Sequence, residues 1–362
     1  MIYINGKFIA QRTTGVQRFS LGIISALDRS LQADPCGHDV ELLLPPGSDS
    51  IPGLLSISQR IIGRSGRSLN LWEQLDLPAN ARDGTLICLS GSSPLLARNC
   101  ITTMHDAAIY MYPRAYSRLF VAWYRLLFAR LARRSPFVLT VSKSSAFDLS
   151  LHLPSTQFRV VPNSAEHIIN KPADPTLIEQ MHLRPKGFLL AVGSINPTKN
   201  FSALIEAYAS SYLAERFPLL IVGAFNNNVF GKCVSLKNHP NIKWAGAVSD
   251  TQLRALYENA ALFIFPSLYE GFGIPPLEAM LCGCPVAASN SSSIPEVCGN
   301  AAHYFEPRDI NDMKNAIELI LKNDDYRSML IERGYDRAHA FSWDHAAMCL
   351  RSALSEFNVI DH

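Results

Sequence analysis

Two glutamates eight positions apart, Glu270 and Glu278, fall in residues 266–286, PSLYEGFGIPPLEAMLCGCPV. An apolar run at 261–266 ends in proline and reads as a buried parallel strand, so both carboxylates belong to one strand–loop–helix corner. Gly271 and Gly273 flank Phe272, which lets the backbone take positive φ and come close to a ligand. Pro275 and Pro276 preset φ at a helix start, beside Ile274, and leave the first amides free for an anion. Glu278 is spaced to accept hydrogen bonds from a vicinal diol such as a ribose. Glu270 is spaced to hold a sugar hydroxyl and to steady positive charge growing at a nearby carbon.

Further chemistry gathers where other strands end, the place where open α/β sheets put their ligands. A strand over 101–104 runs into His105 and Asp106; such a pair caps a strand and opens a turn, or it meets a ligand. Residues 193–200, GSINPTKN, join a strand to a helix and bring Ser194 and Lys199 to its entrance. Residues 246–250, GAVSD, place Val248 in a loop and give Ser249 or Asp250 as a helix cap. Gly15, before Val16, Gln17 and Arg18, opens a helix either as a plain connection or as a place for a phosphate or sugar to approach. Trp72, beside Glu73 and Gln74, packs or touches an acceptor.

The run EGFGIPPLE, with the downstream Gly283, Pro285 and Val286, resembles the E-x7-E signature of retaining nucleotide-sugar glycosyltransferases, and its surroundings resemble glycosyltransferase family 4. The resemblance implies the GT-B fold, with two Rossmann-like domains whose parallel sheets face across a cleft and a C-terminal helix that crosses back to the N-terminal domain. It implies that Glu270, His105 and Lys199 serve catalysis, with His105 on the donor sugar and Lys199 on its diphosphate. Donor contacts would come from Gly15, Ser194, Lys199, Val248, Gly271, Phe272, Gly273, Ile274 and Glu278, and Asp106 would face the acceptor. Ser194 and Thr198 stand where many relatives carry an arginine, so phosphate neutralisation would fall to Lys199, backbone amides and the helix after Gly273.

As the resemblance further implies, a sugar passes with retention from a nucleotide diphosphate sugar, without metal or other cofactor, and the leaving phosphate takes the acceptor proton. GDP-mannose is the expected donor on family frequency. A saccharide or polyprenyl-linked acceptor in bacterial lipopolysaccharide or exopolysaccharide assembly is the expected setting. Two rivals share the fold: a nucleotide-sugar epimerase or hydrolase, which needs no acceptor, and a non-catalytic nucleotide-binding partner subunit.

The elements that must position these groups follow from length and pattern. At 362 residues, 48% hydrophobic and 18% charged, the chain has room for two cores. The expected division is 1–170, an acceptor domain; 171–342, a nucleotide-sugar domain; and 343–362, a helix packing back on the first. In the second half, strands over 188–192, 219–222, 241–245, 261–265, 285–288 and 302–305 alternate with helices, the signature of a parallel sheet covered on both faces. Residues 46–52 read as a surface loop, and residues 58–68, rich in Ser, Arg and Gly, read as exposed.

A net charge of +2 speaks against nucleic acid as partner. The eight scattered cysteines read as buried thiols of a reducing compartment. Cys282 and Cys284 bracket a glycine without a useful His or Cys nearby. No signal peptide or spanning segment is evident, so a cytoplasmic protein is expected, with room for peripheral contact at the inner membrane. Arg118–Arg134 has the strongest helical pattern. Its wide apolar arc predicts a helix largely buried in its own domain, and its basic aromatic character also suits anionic lipid.

Overall fold

The computed structural model describes residues 1–35, 37, 39–194, 196–223, 239–357 and 359; Cys36, Cys233 and Ile195 lie outside them. The chain divides into two compact units, Met1–Asn163 with Ser342–His362, and Ser164–Phe341.

The first unit is built on seven strands: β1 (Ile2–Asn5), β2 (Val40–Leu44), β3 (Ile57–Ile61), β4 (Thr85–Cys88), β5 (Cys100–Thr103), β6 (Val138–Thr140) and β7 (Phe158–Val160). Their order is β3-β2-β1-β4-β5-β6-β7, and every pairing is parallel. The second unit has six: β8 (Leu189–Val192), β9 (Leu219–Val222), β10 (Ile242–Gly246), β11 (Leu262–Phe265), β12 (Val286–Ser289) and β13 (His303–Phe305). Their order is β10-β9-β8-β11-β12-β13, again wholly parallel. Central strands such as β11, LFIF, are apolar throughout because helices cover both faces. Each sheet reverses winding once, between β1 and β4 and between β8 and β11, which are the two topological switch points. The six strands expected in the second half are all present.

The Trp343–Glu356 helix belongs to the first unit and lies along the Gly15–Ala33 helix. Gly22 permits that approach, since a Cβ there would stand 2.3 Å from the Trp343 ring. Arg29–Asp344 at 2.6 Å and Arg351–Asp34 at 2.7 Å flank the contact.

The stretch 58–68 is for the most part exposed, as its composition suggests, and its first residues belong to β3, which pairs with β2 from Ile57 to Ile61, with Arg60 bonded to Glu41 on its neighbour. As a sheet-edge strand β3 shows polar side chains to water. One sequence expectation needs correction. The Arg118–Arg134 helix is not largely buried: Val121, Leu127, Phe128, Leu131 and Ala132 face the core, while Leu119, Phe120, Trp123 and Leu126 are exposed.

Candidate active site

In the second unit the switch-point strands carry the chemistry. After β8 the chain turns through Gly193 and the exposed Ser194 into a 3-10 turn, Pro197–Lys199, capped by the Asn196 side chain accepting from the Thr198 amide at 3.1 Å. Gly223 makes the entrance possible: a Cβ there would lie 1.9 Å from the Gly193 carbonyl oxygen. Asn200 follows in the left-handed region at φ 55°, a conformation its short amide tolerates. The Leu268 amide donates to the Thr198 carbonyl at 2.7 Å, tying the β8 turn to the loop leaving β11.

That loop brings Glu270 to Lys199, with Nζ 2.5 Å from Oε1 and both side chains mostly buried. Lys199 Nζ also lies 5.8 Å from the centre of the Phe265 ring. The Glu270 turn is held from β12: its amide donates to Ser292 Oγ at 2.9 Å, and Ser293 Oγ donates to the Glu270 and Phe272 carbonyls. Phe272 is buried edge-on against Phe341, a packing role, while Gly273 takes φ 97° and caps the Ile274–Leu281 helix.

Glu278, the fifth residue of that helix, is 4% exposed. Its Oε1 lies 2.8 Å from His167 Nε2, and its Oε2 accepts from the Tyr257 hydroxyl at 3.0 Å. Burial and the adjacent carboxylate push the Tyr257 phenol well up, so it stays a donor. Each carboxylate oxygen keeps a second lone pair for a ligand hydroxyl. Val248 is half-buried in the loop after β10, ahead of a capping box formed by Ser249 and Gln252.

In the first unit His105 follows β5, and its Nε2 lies 2.9 Å from the Leu89 carbonyl. A carbonyl only accepts, so Nε2 carries the proton and Nδ1 is left as an acceptor. Burial pulls the imidazole down to about 4, and the Leu89 bond opposes this; the ring is neutral at physiological pH. Phe19 stands edge-on to it at 5.1 Å. Asp106 accepts from the Ala108 amide at 2.8 Å, the short loop that opens a turn. Gly15 is exposed at the first turn of its helix, behind a Thr14–Gln17 capping box.

The structure therefore groups Ser194, Lys199, Glu270 and the Gly271–Ile274 turn about one strand edge, and puts Gly15, His105 and Asp106 in the other unit. Sequence reading missed His167 and Tyr257 beside Glu278. It also missed a buried pair at the first unit's switch point, Lys7–Glu73 at 2.8 Å, which Asn5 and Ser92 join through Glu73 Oε1. The only signal for it was a glutamate beside Trp72, whose indole donates to the Ile62 carbonyl in the core.

Two Rossmann-like units with wholly parallel sheets constitute the GT-B architecture. A sucrose-phosphate synthase from Thermosynechococcus elongatus superposes with a TM-score of 0.73 over 99% of this chain and 98% of that one, at 18% identity. Residues 178–337 match the family model described as glycosyl transferases group 1. The O-antigen chain mannosyltransferase B of Escherichia coli is 29% identical over 375 residues, covering 96% of each chain. The serotype-specific mannosyltransferase WbdA of Escherichia coli is 32% identical over 198 residues, 53% of this chain and 23% of that protein. The chain is a glycosyltransferase.

Proposed function

We propose that the chain is a retaining mannosyltransferase of the family 4 type, moving mannose from a nucleotide diphosphate donor to a saccharide chain of O-antigen class. Support for the sugar and setting comes from the relatives: one named for O-antigen mannosyl transfer aligns over nearly the full length. Support for the chemistry comes from one observation above all, Lys199 and Glu270 meeting at the β8/β11 switch point.

In this reading the donor's diphosphate takes over the Lys199 ammonium, which is held meanwhile by Glu270. The freed Glu270 carboxylate then accepts a donor hydroxyl. As the bond from the anomeric carbon to the phosphate oxygen breaks, Lys199 and the amides of the Ile274–Leu281 helix stabilise charge growing on the leaving group. The acceptor hydroxyl oxygen bonds the anomeric carbon on the same face, and its proton goes to the departing diphosphate. Glu278, steadied by His167 and Tyr257, receives the ribose hydroxyls on its remaining lone pairs. His105, with Nδ1 as an acceptor, serves a sugar hydroxyl. No side chain is required as the base, and no metal enters the scheme.

Thermal shift against GDP-mannose, UDP-glucose and a dTDP-sugar tests the donor, since binding to the native state alone raises the melting temperature. GDP-mannose is expected to give the largest rise. Lys199→Met and Glu270→Gln should each lower kcat by roughly 10²-fold or more, the usual loss when one charge-stabilising group is removed. Glu278→Gln should raise the donor Kd while leaving kcat at saturating donor within a few fold. Near-normal turnover in either of the first two variants removes the assigned roles.

A further inference from the structure

Lys7 and Glu73 take no part in the chemistry above, yet both are buried, at 4% and 2% exposure. Two charges withdrawn from water repay their desolvation only where their hydrogen bonds are filled, and an apolar pair would serve a core as well. Here they are filled. Lys7 Nζ donates to Glu73 Oε2 at 2.8 Å, to Asn70 Oδ1 at 3.0 Å and to Ser92 Oγ at 3.3 Å. Glu73 Oε1 accepts from Asn5 Nδ2 at 3.0 Å and from Ser92 Oγ at 2.7 Å. The ammonium protons are all committed, which leaves Lys7 none for a ligand phosphate.

What the pair grips is the loop after β4. Glu73 lies in a π-helical turn, Trp72–Asp76, the kind of irregularity that gathers at functional sites. Gln74 beside it holds the same loop: its Nε2 donates to the Ser93 carbonyl at 3.2 Å and its Oε1 accepts from the Leu95 amide at 2.9 Å. Ser93 Oγ donates to Thr102 Oγ1 on β5 at 2.7 Å. From Ser92 the loop runs back through Gly91, at φ 78°, where an added Cβ would stand 3.5 Å from His105 Cδ2. It then reaches Leu89, whose carbonyl accepts from His105 Nε2 at 2.9 Å.

We infer that Lys7 and Glu73 are positioning residues: through Ser92 they fix the 89–95 loop, and the Leu89 carbonyl at its start fixes the tautomer and orientation of His105. A carbonyl on a glycine-bearing loop orients a ring only as firmly as the loop itself is held. A bond from Ser92 to a carboxylate is charge-assisted and holds harder than a neutral one, and the ammonium pins that carboxylate in turn. The effect on turnover rests on the role proposed above for His105; the effect on the ring does not.

The Nε2 proton of His105 tests this with neither donor nor acceptor present. It is read in proton–nitrogen correlation spectra of the full chain labelled at histidine, and assigned by its loss in His105→Gln. Its exchange with water should quicken about tenfold or more in Ser92→Ala, which cuts the loop from the pair and leaves the pair itself intact. Ser92→Thr, which keeps the hydroxyl, should exchange within about twofold of the wild type. Lys7→Met/Glu73→Leu should quicken exchange as Ser92→Ala does; apolar side chains of similar volume replace the charges, and an unchanged melting temperature will show that the variant folds. With the ring loosened, kcat of Ser92→Ala at saturating donor should fall about tenfold or more. Unchanged exchange in Ser92→Ala or in the double variant overturns the inference whatever happens to turnover, as does equal quickening in Ser92→Thr. Faster exchange with normal kcat upholds the positioning and instead removes His105 from the proposed reaction.

Discussion

At the residue scale, His105 shows how a neighbour fixes chemistry. The Leu89 carbonyl selects the tautomer and burial removes the charge, leaving a neutral acceptor where an isolated histidine would titrate near neutrality. Its folded-state pKa, about 4, lies below the unfolded value, so the unfolded chain binds the proton first as pH drops. The stability this group contributes is complete above about pH 6.5 and is lost as pH falls toward 4. Urea titrations of the wild type and His105→Gln across that window should show a shallower pH slope in the variant; parallel slopes would refute the argument. Lys199 and Glu270 stand out in the sequence because each follows a glycine- or proline-marked strand end, and His105 because it is paired with Asp106 at the end of an apolar run. The partners of Glu278 were not: His167 lies 111 positions away, and no local pattern records such a meeting.

At the element scale, periodicity reports the width of an apolar arc but not what covers it. The Arg118–Arg134 helix has apolar residues on two sides; one meets the core through Leu127, Phe128 and Leu131, and the other, at Leu119, Trp123 and Leu126, is exposed. The strands of the second sheet were easier to find, because buried parallel strands are short apolar runs closed by turn residues. Helix contacts also reverse simple propensity. Gly22→Ala would gain about 1 kcal/mol in an open helix, but here the new Cβ meets the Trp343 ring at 2.3 Å. The substitution should instead cost about 1–3 kcal/mol, the range for overpacking a filled interior. Gly22→Ala combined with Trp343→Leu should recover part of the loss. Chemical denaturation of the two variants decides the sign.

At the scale of the whole molecule, the first unit is discontinuous in sequence, since Ser342–His362 returns to it after Ser164–Phe341. Cutting the chain after Phe341 removes Trp343, Ala346, Ala347, Leu350 and Leu354 from its core. The unit should lose several kcal/mol, at about 1.5–3 kcal/mol for each large apolar side chain buried. Calorimetry should show a lowered transition that nucleotide does not restore, beside a nucleotide-sensitive transition that keeps its place. A single cooperative loss of both would mean that the units do not hold themselves independently.

The detour through the second unit also has a timetable. During synthesis the Gly15–Ala33 helix waits, its side facing Trp343 still bare, until everything up to Phe341 has left the ribosome. For that interval the nascent first unit shows sticky surface to its surroundings, the condition in which chaperones are recruited and misassembly begins. The second unit, continuous in sequence, has no such wait.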